Sequence, residues 1–239
     1  INAVYHRSNK GGGYWENLKK TPTNWKISYH NLNFNIKQMG FKHTGLFPEQ
    51  SYNWDIIRDK IKRSGRQVKV LNLFAYTGGA SIAALSENAI VTHVDSSRGM
   101  VDWAKENVIS SKLENNEIHF IVDDVVKFVE REIRRGHKYD IIIMDPPSFG
   151  RGSNKEVWSL ENDLYNLVNL CNELLSDEPL MFLINSYTTG LSMNVLEDVL
   201  KLTVNKKYPG VITSDEVGIP MTNSDLVLPC GIFARWESK

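Results

Sequence analysis

The 239-residue sequence predicts an α/β fold: a doubly wound, mostly parallel seven-stranded sheet with an antiparallel edge strand, preceded by a small β-rich N-terminal module. Two patterns predict it. From residue 68 onward, apolar strand-like runs alternate with segments of helical periodicity, as in a parallel sheet covered by helices on both faces. Before residue 65, short segments alternate apolar with polar residues and are separated by turn residues. We therefore divide the chain into residues 1–65 and 66–239.

The N-terminal module is predicted from its alternation and its breaks. Residues 25–29 and 32–36 alternate in the manner of short strands, and glycine and proline residues interrupt the chain around them. Residues 54–63 carry apolar side chains at helical spacing. They predict a helix that leads into the larger region, and we assign it to the module.

The larger region is predicted to contain five mostly apolar parallel strands, at residues 68–74, 89–95, 118–122, 139–145 and 180–185. Helices are predicted between them, at residues 80–87, 98–111, 125–135 and 163–175. The tail has a helical segment near Leu196 and strand-like runs at residues 211–213 and 226–236. These runs predict an antiparallel hairpin at one edge of the sheet.

The charge is distributed unevenly along the chain although its net value is zero. Residues 1–70 contain 13 Lys or Arg and four Asp or Glu, whereas residues 71–239 contain 15 and 24, giving +9 and −9. A polyanion is therefore attracted to the N-terminal part, whose basic residues are interleaved with aromatic ones. These aromatic residues are Trp15, Trp25, Tyr29, Phe34 and Phe41. A solvated basic surface that balances an acidic domain explains the charge equally well.

Several classes of protein are disfavoured by composition. Two cysteines are too few for a disulfide framework and fit a reducing cytoplasm, and spaced Cys/His pairs typical of a metal site are missing. No apolar run approaches the roughly 20 residues that span a bilayer. The chain begins without Met or a signal-like pattern, so we expect a fragment of a cytoplasmic protein that contacts no membrane.

The strand ends are where the sequence predicts function. Ligands of such sheets bind beyond the carboxyl ends of the strands, near the point where strand order reverses. The residues at these ends are Phe74, Asp95, Asp124, Asp145 and Asn185. Three aspartates in one cleft would repel each other unless a ligand supplied hydrogen-bond donors. Capping of the helix that follows is the structural alternative for each of them.

The turn after the first strand contains Gly78 and Gly79, which let the backbone pass close to a ligand before a helix opens. A plain glycine turn explains them as well, and the stretch lacks the spacing of a pyrophosphate cradle. Asp95 lies 17 residues beyond Gly78 and suits the two hydroxyls of a ribose. Nicotinamide dinucleotides and S-adenosylmethionine both present such a ribose, so Asp95 alone does not separate them.

The fourth strand leads into Asp145, Pro146, Pro147, Ser148 and Phe149. The two prolines stiffen the turn and remove two backbone donors. A rigid loop with a carboxylate before it and an aromatic ring after it suits a flat substrate beside a cofactor, and Phe149 can stack on a base. A rigid structural turn is the alternative interpretation.

In combination, these motifs resemble the class I S-adenosylmethionine-dependent methyltransferases, which have a Rossmann-like fold. The motifs are Phe-x-Tyr-Thr-Gly after the first strand, Asp95 after the second, Asp123-Asp124 after the third and Asp-Pro-Pro-Ser-Phe-Gly-Arg-Gly after the fourth. The chain is more closely similar to the bacterial branch related to the ribosomal RNA large-subunit cytosine-C5 methyltransferases. Residues 41–50 and 234–236 resemble a smaller subgroup of that branch, and the resemblance extends from about residue 40.

The resemblance implies roles for individual residues. It assigns to the cofactor Gln50, Phe74, Tyr76, Thr77, Gly78, Asp95, Ser96, Asp123, Asp124 and Asp145. It assigns to the reacting centre Asp145, Pro146, Pro147, Ser148 and Phe149. In this scheme Asp95 binds the ribose with Ser96 nearby, Asp124 and its neighbour Asp123 receive the adenine amino group, and Gln50 closes the pocket.

One departure concerns the chemistry. Enzymes that methylate cytosine C5 first add a cysteine thiolate to the ring, and in the related enzymes that cysteine follows the fifth strand. Here residues 186–189 are Ser-Tyr-Thr-Thr, so the thiol is missing. Cys171 has apolar neighbours and is expected in the core, and Cys230 has no evident route to the site. An exocyclic amine, a ring nitrogen or a hydroxyl remains possible as the methyl acceptor, and Ser186 and Tyr187 can reach the site.

The loop at residues 150–158 has the composition of a mobile lid over the target. Arg151 and Lys155 are candidates for phosphate contacts and Trp158 for stacking. A solvated loop with one buried tryptophan explains the composition equally well.

The leading expectation is therefore a cytoplasmic methyltransferase that uses S-adenosylmethionine to methylate RNA, with ribosomal RNA as the partner. The alternatives are a methyltransferase for a protein or small molecule, and a binding protein that keeps the cofactor site without catalysis. A nicotinamide enzyme is the least favoured, because the phosphate cradle is missing.

Overall fold

Two β-hairpins open the chain in the computed structural model, which describes residues 1–8, 12–151 and 157–239, without the side chain of Arg151. β1 (Ala3–Arg7) pairs with β2 (Gly13–Asn17), and β3 (Trp25–Tyr29) pairs with β4 (Leu32–Ile36). Both pairs are antiparallel. The predicted β-rich module at the N-terminus is therefore confirmed, although the boundary at residue 65 stays a prediction.

The helices number seven in the described residues: α1 (Ser51–Ser64), α2 (Gly79–Leu85), α3 (Arg98–Ser110), α4 (Val125–Arg135), α5 (Leu160–Asn172), α6 (Met193–Leu202) and α7 (Val204–Lys207). A 3-10 turn, Pro48–Gln50, leads directly into α1. Gly65 caps the C-terminus of α1, and its φ of +64° lies in the left-handed region that favours glycine. The lead-in helix thus begins three residues earlier than its apolar spacing predicts.

The remaining strands follow in chain order: β5 (Lys69–Leu73), β6 (Ile90–Asp95), β7 (Ile118–Val122), β8 (Ile141–Met144), β9 (Phe149–Arg151), β10 (Val157–Ser159), β11 (Met181–Ser186), β12 (Gly210–Pro220) and β13 (Val227–Ser238). Seven of them form one sheet in the order β12-β13-β11-β8-β5-β6-β7. β9 and β10 form a separate antiparallel pair.

The seven-stranded sheet is parallel except where β13 runs antiparallel to both β11 and the edge strand β12. β8 and β11 are buried along their whole length, as strands covered on both faces must be. Chain order runs from β5 outward to β7, then returns to β8 on the other side of β5. The predicted doubly wound, Rossmann-like fold with an antiparallel edge is confirmed.

Helices cover the two faces of the sheet and create two apolar cores. One core packs α4, α5 and α6 against the sheet. The other packs α1 and α2 against the opposite face and also contains Leu32, Phe34 and Ile36 of β4. The β3–β4 hairpin is thereby part of the main core. It is tied to α3 as well, because the Trp103 indole N–H donates to the Asn35 carbonyl at 2.9 Å.

This packing corrects part of the charge-based expectation. Phe34, one of the aromatic residues expected on a polyanion-binding surface, has no exposed surface because it faces the core from β4. Trp25 packs against the same core, and the Tyr29 hydroxyl donates to Asp55. Of that set, Phe41 is well exposed, at 63%. No helix in the described part of the chain is long and apolar enough to span a membrane.

Candidate functional site

The reversal of strand order places the site beyond the carboxyl ends of β5 and β8, which lie side by side. A cavity opens there, and the turn after β5, the 3-10 turn and the ends of β8 and β11 line it. Among its lining residues are Gln50, Phe74, Tyr76, Asp145 and Asn185. These residues come from four separate segments of the chain, and each is predicted either from the family resemblance or from its position at a strand end.

The turn after β5 has an unusual backbone. Phe74 and Tyr76 both adopt positive φ, at +55° and +50°, and Gly78 follows at +87°. Non-glycine residues in this region are strained, and such strain is concentrated at ligand sites. A Cβ on Gly78 would lie 3.1 Å from Ala104 on α3, so the glycine also permits close packing. This geometry supports a ligand-binding turn over a plain glycine turn.

A segment of the N-terminal region covers this turn. The Thr77 hydroxyl is buried and donates to the Gly45 carbonyl at 2.6 Å. The Phe47 ring lies 5.5 Å from that of Tyr76 and 5.3 Å from that of Tyr187. The cover joins the turn after β5 to the end of β11, and the side chain of Thr77 is already engaged in holding it.

Asp95 ends β6 beside the same turn. One carboxylate oxygen accepts the Tyr76 backbone N–H at 2.9 Å and the other accepts the Ser97 N–H at 2.8 Å. Burial raises the pKa of Asp95, and the two N–H donors partly oppose that rise. Each carboxylate oxygen has two lone pairs, so both keep acceptor capacity. Ser96 is exposed next to it.

Asp123 and Asp124 follow β7 and have partners within the protein. The Asp124 carboxylate accepts the Lys127 backbone N–H at 3.0 Å and caps α4, the structural alternative open from the sequence. Asp123 accepts the Asp124 N–H and forms an ion pair with Arg131. Capping by itself therefore accounts for an aspartate at position 124.

Asp145 faces a second carboxylate, Glu49, which the sequence analysis missed. Glu49 is buried in the 3-10 turn. Burial raises the pKa of Asp145 to about 7, and the negative charge of Glu49 contributes to the rise. Within the described residues, no hydrogen-bond donor reaches the Asp145 carboxylate. The position next to Gln50, in the same motif, was the only clue to Glu49 in the sequence.

A chain of amide and hydroxyl groups ends at Tyr187, which lies beside this acidic pair. The Gln50 Nε2 donates to the Tyr187 hydroxyl at 2.8 Å, and the Asn53 Nδ2 donates to Gln50 Oε1 at 3.0 Å and to Asn185 Oδ1 at 3.1 Å. Burial raises the pKa of Tyr187, and the charges of Asp145 and Glu49 raise it further. Tyr187 is therefore a neutral donor at physiological pH. Asn53 was also missed, because its role depends on α1 packing against β11.

Hydrogen bonds from Trp158 and to Thr188 hold the double-proline turn in place. The Trp158 indole N–H donates to the Pro147 carbonyl at 2.7 Å, and its ring lies 5.5 Å from that of Phe74. The Ser148 hydroxyl hydrogen-bonds to that of Thr188 at 2.7 Å. Pro146 is buried, and Phe149 is 58% exposed. Lys155 and the side chain of Arg151, candidates for phosphate contacts, lie outside the described residues.

The two cysteines differ in their surroundings. Cys171 is fully buried on α5, and burial raises the pKa of its thiol, as expected for a core cysteine. Cys230 lies on β13, where burial and the charge of Glu49 both raise the pKa of its thiol. A Cβ on the next residue, Gly231, would lie 2.9 Å from the Tyr187 ring. Cys230 is therefore closer to the site than its sequence position indicates.

Comparison with known proteins agrees with this geometry. A family model described as S-adenosylmethionine-dependent methyltransferase matches residues 4–205. The ribosomal RNA large subunit methyltransferase K/L of Shewanella baltica is 30% identical over 214 residues, which are 89% of this chain and 28% of that protein. The one of Colwellia psychrerythraea is 32% identical over 148 residues, 62% of this chain and 20% of that protein. The chain thus spans less than a third of the length of either relative.

A solved structure matches over the whole chain. The SAM-dependent methyltransferase from Agrobacterium tumefaciens has a TM-score of 0.94 and 36% sequence identity, and the match covers all of this chain and 77% of that one. The family match, the fold and the acidic strand ends at its switch point all agree. The chain belongs to the S-adenosylmethionine-dependent methyltransferase family.

Proposed function

We propose that this chain transfers a methyl group from S-adenosylmethionine to a base of RNA, with ribosomal RNA as the natural target. The observation that carries the proposal is the Asp145 carboxylate, which lies beside Glu49 in the cavity without a donor from the described residues. Such a carboxylate suits the N–H groups of a base. The names of the relatives and the +9 charge of residues 1–70 support RNA as the carrier of that base.

We assign the cofactor to the surface between the turn after β5 and the ends of β6 and β7. Asp95 fits the ribose hydroxyls, because both of its oxygens keep acceptor capacity. Phe74, Tyr76 and Gly78 form the wall for the methionine and ribose, and the Thr77 side chain anchors the cover. Ser96 and the Asp123–Asp124 corner border the adenine, where the Asp124 carboxylate combines helix capping with acceptance of the amino group. Gln50 closes the pocket.

At the reacting centre, we assign to Asp145 the task of holding the hydrogens of the acceptor group. The cofactor supplies an electrophilic methyl group on a sulfonium. Orientation of the acceptor lone pair toward that methyl group provides much of the acceleration in such a transfer. Pro146 and Pro147 keep the turn rigid, Ser148 fixes it to Thr188, and Phe149 offers an exposed ring to the base.

A nitrogen acceptor on the base fits these residues better than cytosine C5. Carbon methylation needs a thiolate, and residues 186–189, where the related enzymes have their cysteine, contain none. Cys230 is the nearer of the two cysteines, but burial and Glu49 keep its thiol protonated, which makes it a weak nucleophile. We therefore place the target among the amino groups and ring nitrogens of the base.

The test is transfer of tritiated methyl from S-adenosylmethionine to separated RNA and protein fractions of a host that lacks this gene. We expect label in RNA with the wild-type chain and none with Asp145→Ala. Nucleoside analysis of the labelled RNA then names the modified atom. Label confined to protein would contradict the proposal in favour of a protein methyltransferase. Bound cofactor with no label in either fraction would favour a small-molecule enzyme or a binding protein.

A further inference from the structure

A second cavity, of about 580 Å³, lies outside the site described above. Its walls are the β1–β2 hairpin and residues 39–43, and Tyr76 and Met100 also line it. The volume is in the range of pockets that bind small molecules or single nucleotides. Tyr76 also belongs to the turn after β5. This cavity, which we call the hairpin groove, therefore adjoins the proposed cofactor surface.

Hydrogen bonds and a ring contact fix the shape of the hairpin groove. The Trp15 indole N–H on β2 donates to the carbonyls of Met39 and Phe41, at 3.0 and 3.2 Å. The Gln38 amide donates to the Asn17 side chain at 2.8 Å. The Trp15 ring also meets the Tyr5 ring edge-on, with centroids 5.3 Å apart. These contacts hold the two walls at a fixed separation.

The chemistry of the groove is cationic and aromatic. Arg7 and Lys42 line it, both are exposed, and neither has an ion-pair partner within the described residues. Both lie close to His43, whose pKa is lowered by burial and then by these two positive charges. Tyr5 and the exposed Phe41 add ring surface. Two cations beside two rings form a site for an anion that carries a flat group.

We infer that the hairpin groove binds a nucleotide of single-stranded RNA next to the methylated base, with its phosphate on Arg7 and Lys42 and its base on Tyr5 and Phe41. This inference rests on the proposed RNA substrate. The adenosine of the cofactor explains the groove less well, because it has no phosphate to pair with the two cations. The Tyr76 hydroxyl lies 3.6 Å from the Met39 sulfur, and the Tyr76 backbone N–H donates to Asp95. A nucleotide in the groove therefore contacts the turn after β5.

The experiment measures binding of a fluorescein-labelled, mixed-sequence 12-nucleotide RNA by anisotropy at several KCl concentrations. We expect the double variant Arg7→Ala/Lys42→Ala to bind about tenfold more weakly, with a salt slope lower by about 0.7, as for the loss of one phosphate contact to a single strand. Phe41→Ala is expected to lose about tenfold as well, with the slope unchanged, because stacking carries no charge. Cofactor affinity, measured by calorimetry, stays at the wild-type value in both variants.

The matched control is Lys62→Ala/Arg63→Ala, which removes the same charge from exposed positions at the far end of α1. It is expected to bind RNA as the wild type does. If the groove variant binds RNA as tightly as this control while the wild type still methylates RNA, the groove inference is overturned and the proposed function stands. Loss of cofactor affinity with RNA binding intact would assign the groove to the cofactor. A wild type that neither binds nor labels RNA overturns both proposals.

Discussion

The carboxylates at the two ends of β8 have opposite surroundings. At the amino end, Asp140 accepts the Lys69 N–H at 2.8 Å, the Ser176 hydroxyl at 2.7 Å and the Arg66 guanidinium at 3.0 Å. At the carboxyl end of the same strand, β8, Asp145 accepts no hydrogen bond from the described residues and faces Glu49. Asp140 and Asp145 are thus only five residues apart, yet the described residues donate hydrogen bonds to the first carboxylate and none to the second.

The pKa values follow this difference. Burial by itself raises the pKa of Asp140, but Arg66, the Lys69 N–H and Ser176 outweigh it and the net shift is downward. The pKa of Glu132 is lowered in the same way, because Tyr139, His137 and Arg135 donate hydrogen bonds to its carboxylate. The pKa values of Asp145 and Asp95 are raised instead. Saturated carboxylates stabilise the fold, whereas carboxylates with free acceptor capacity stay available to a ligand.

The largest expected effect is on catalysis at Asp145. Asp145→Asn keeps the shape of the side chain but removes the charge that orients the acceptor, so methyl transfer should fall about 100-fold or more. Cofactor affinity should change little. The measurement is single-turnover transfer to RNA, with calorimetry of the cofactor beside it. Transfer at the wild-type rate in this variant would remove Asp145 from the reacting centre.

Asp95 should affect the cofactor more than the chemistry. Asp95→Ala deletes an acceptor for the ribose hydroxyls, and charge-assisted hydrogen bonds contribute roughly 1.5–3 kcal/mol each, so affinity should fall about tenfold or more. Calorimetric titration with S-adenosylmethionine gives the value. Asp198→Ala, which removes a carboxylate from an exposed position on α6, is the control and should bind the cofactor as the wild type does. An unchanged affinity for the Asp95 variant would show that the ribose lies elsewhere.

Glu49 sharpens the comparison through pH. If Asp145 acts as a carboxylate, transfer rises with pH through its pKa of about 7. Glu49→Gln removes a neighbouring negative charge and should move that midpoint down by about one unit. Stability is expected to have the opposite slope. Because the folded state holds the Asp145 proton up to about pH 7 and the unfolded state loses it near pH 4, unfolding free energy falls between these values. If the midpoint is the same in Glu49→Gln as in the wild type, the claim that the charge of Glu49 raises the pKa of Asp145 is contradicted.

The smallest effect is expected at the amino end of the sheet. Tyr139→Phe removes one of three donors to the buried Glu132 and should cost about 1 kcal/mol of unfolding free energy in urea denaturation. Transfer per folded molecule should equal that of wild type, because this cluster lies at the opposite end of the strands from the cofactor turn. A kcat change without a stability change would connect Glu132 to function.

The sequence predicted the sheet well because its strands are buried on both faces and read as unbroken apolar runs. Residues 139–145 and 180–185 contain β8 and most of β11, with errors of one or two residues at the ends. The helix predicted at residues 163–175 in fact begins at Leu160, directly after β10. Its start depends on the β9–β10 pair, which local periodicity does not reveal.

The site was only partly predictable, for a physical reason. Residues at strand ends, such as Asp95 and Asp145, can be placed from parallel topology alone. Glu49 and Asn53 come from the segment before the sheet, and only tertiary packing brings them against β8 and β11. Asp124 was ambiguous because helix capping and ligand binding require the same residue type at the same position. Its capping bond is now known, whereas its part in cofactor binding stays a prediction.

The most direct test of the contrast between the two ends is the unfolding free energy of Asp140→Ala and Asp145→Ala, measured side by side at pH 8. We predict a loss of about 3 kcal/mol for Asp140→Ala, because a buried network loses its shared acceptor. Asp145→Ala should be as stable as wild type or more so, since it relieves repulsion from Glu49 without breaking a hydrogen bond. A comparable loss in both variants would contradict the claim that Asp145 is reserved for a ligand.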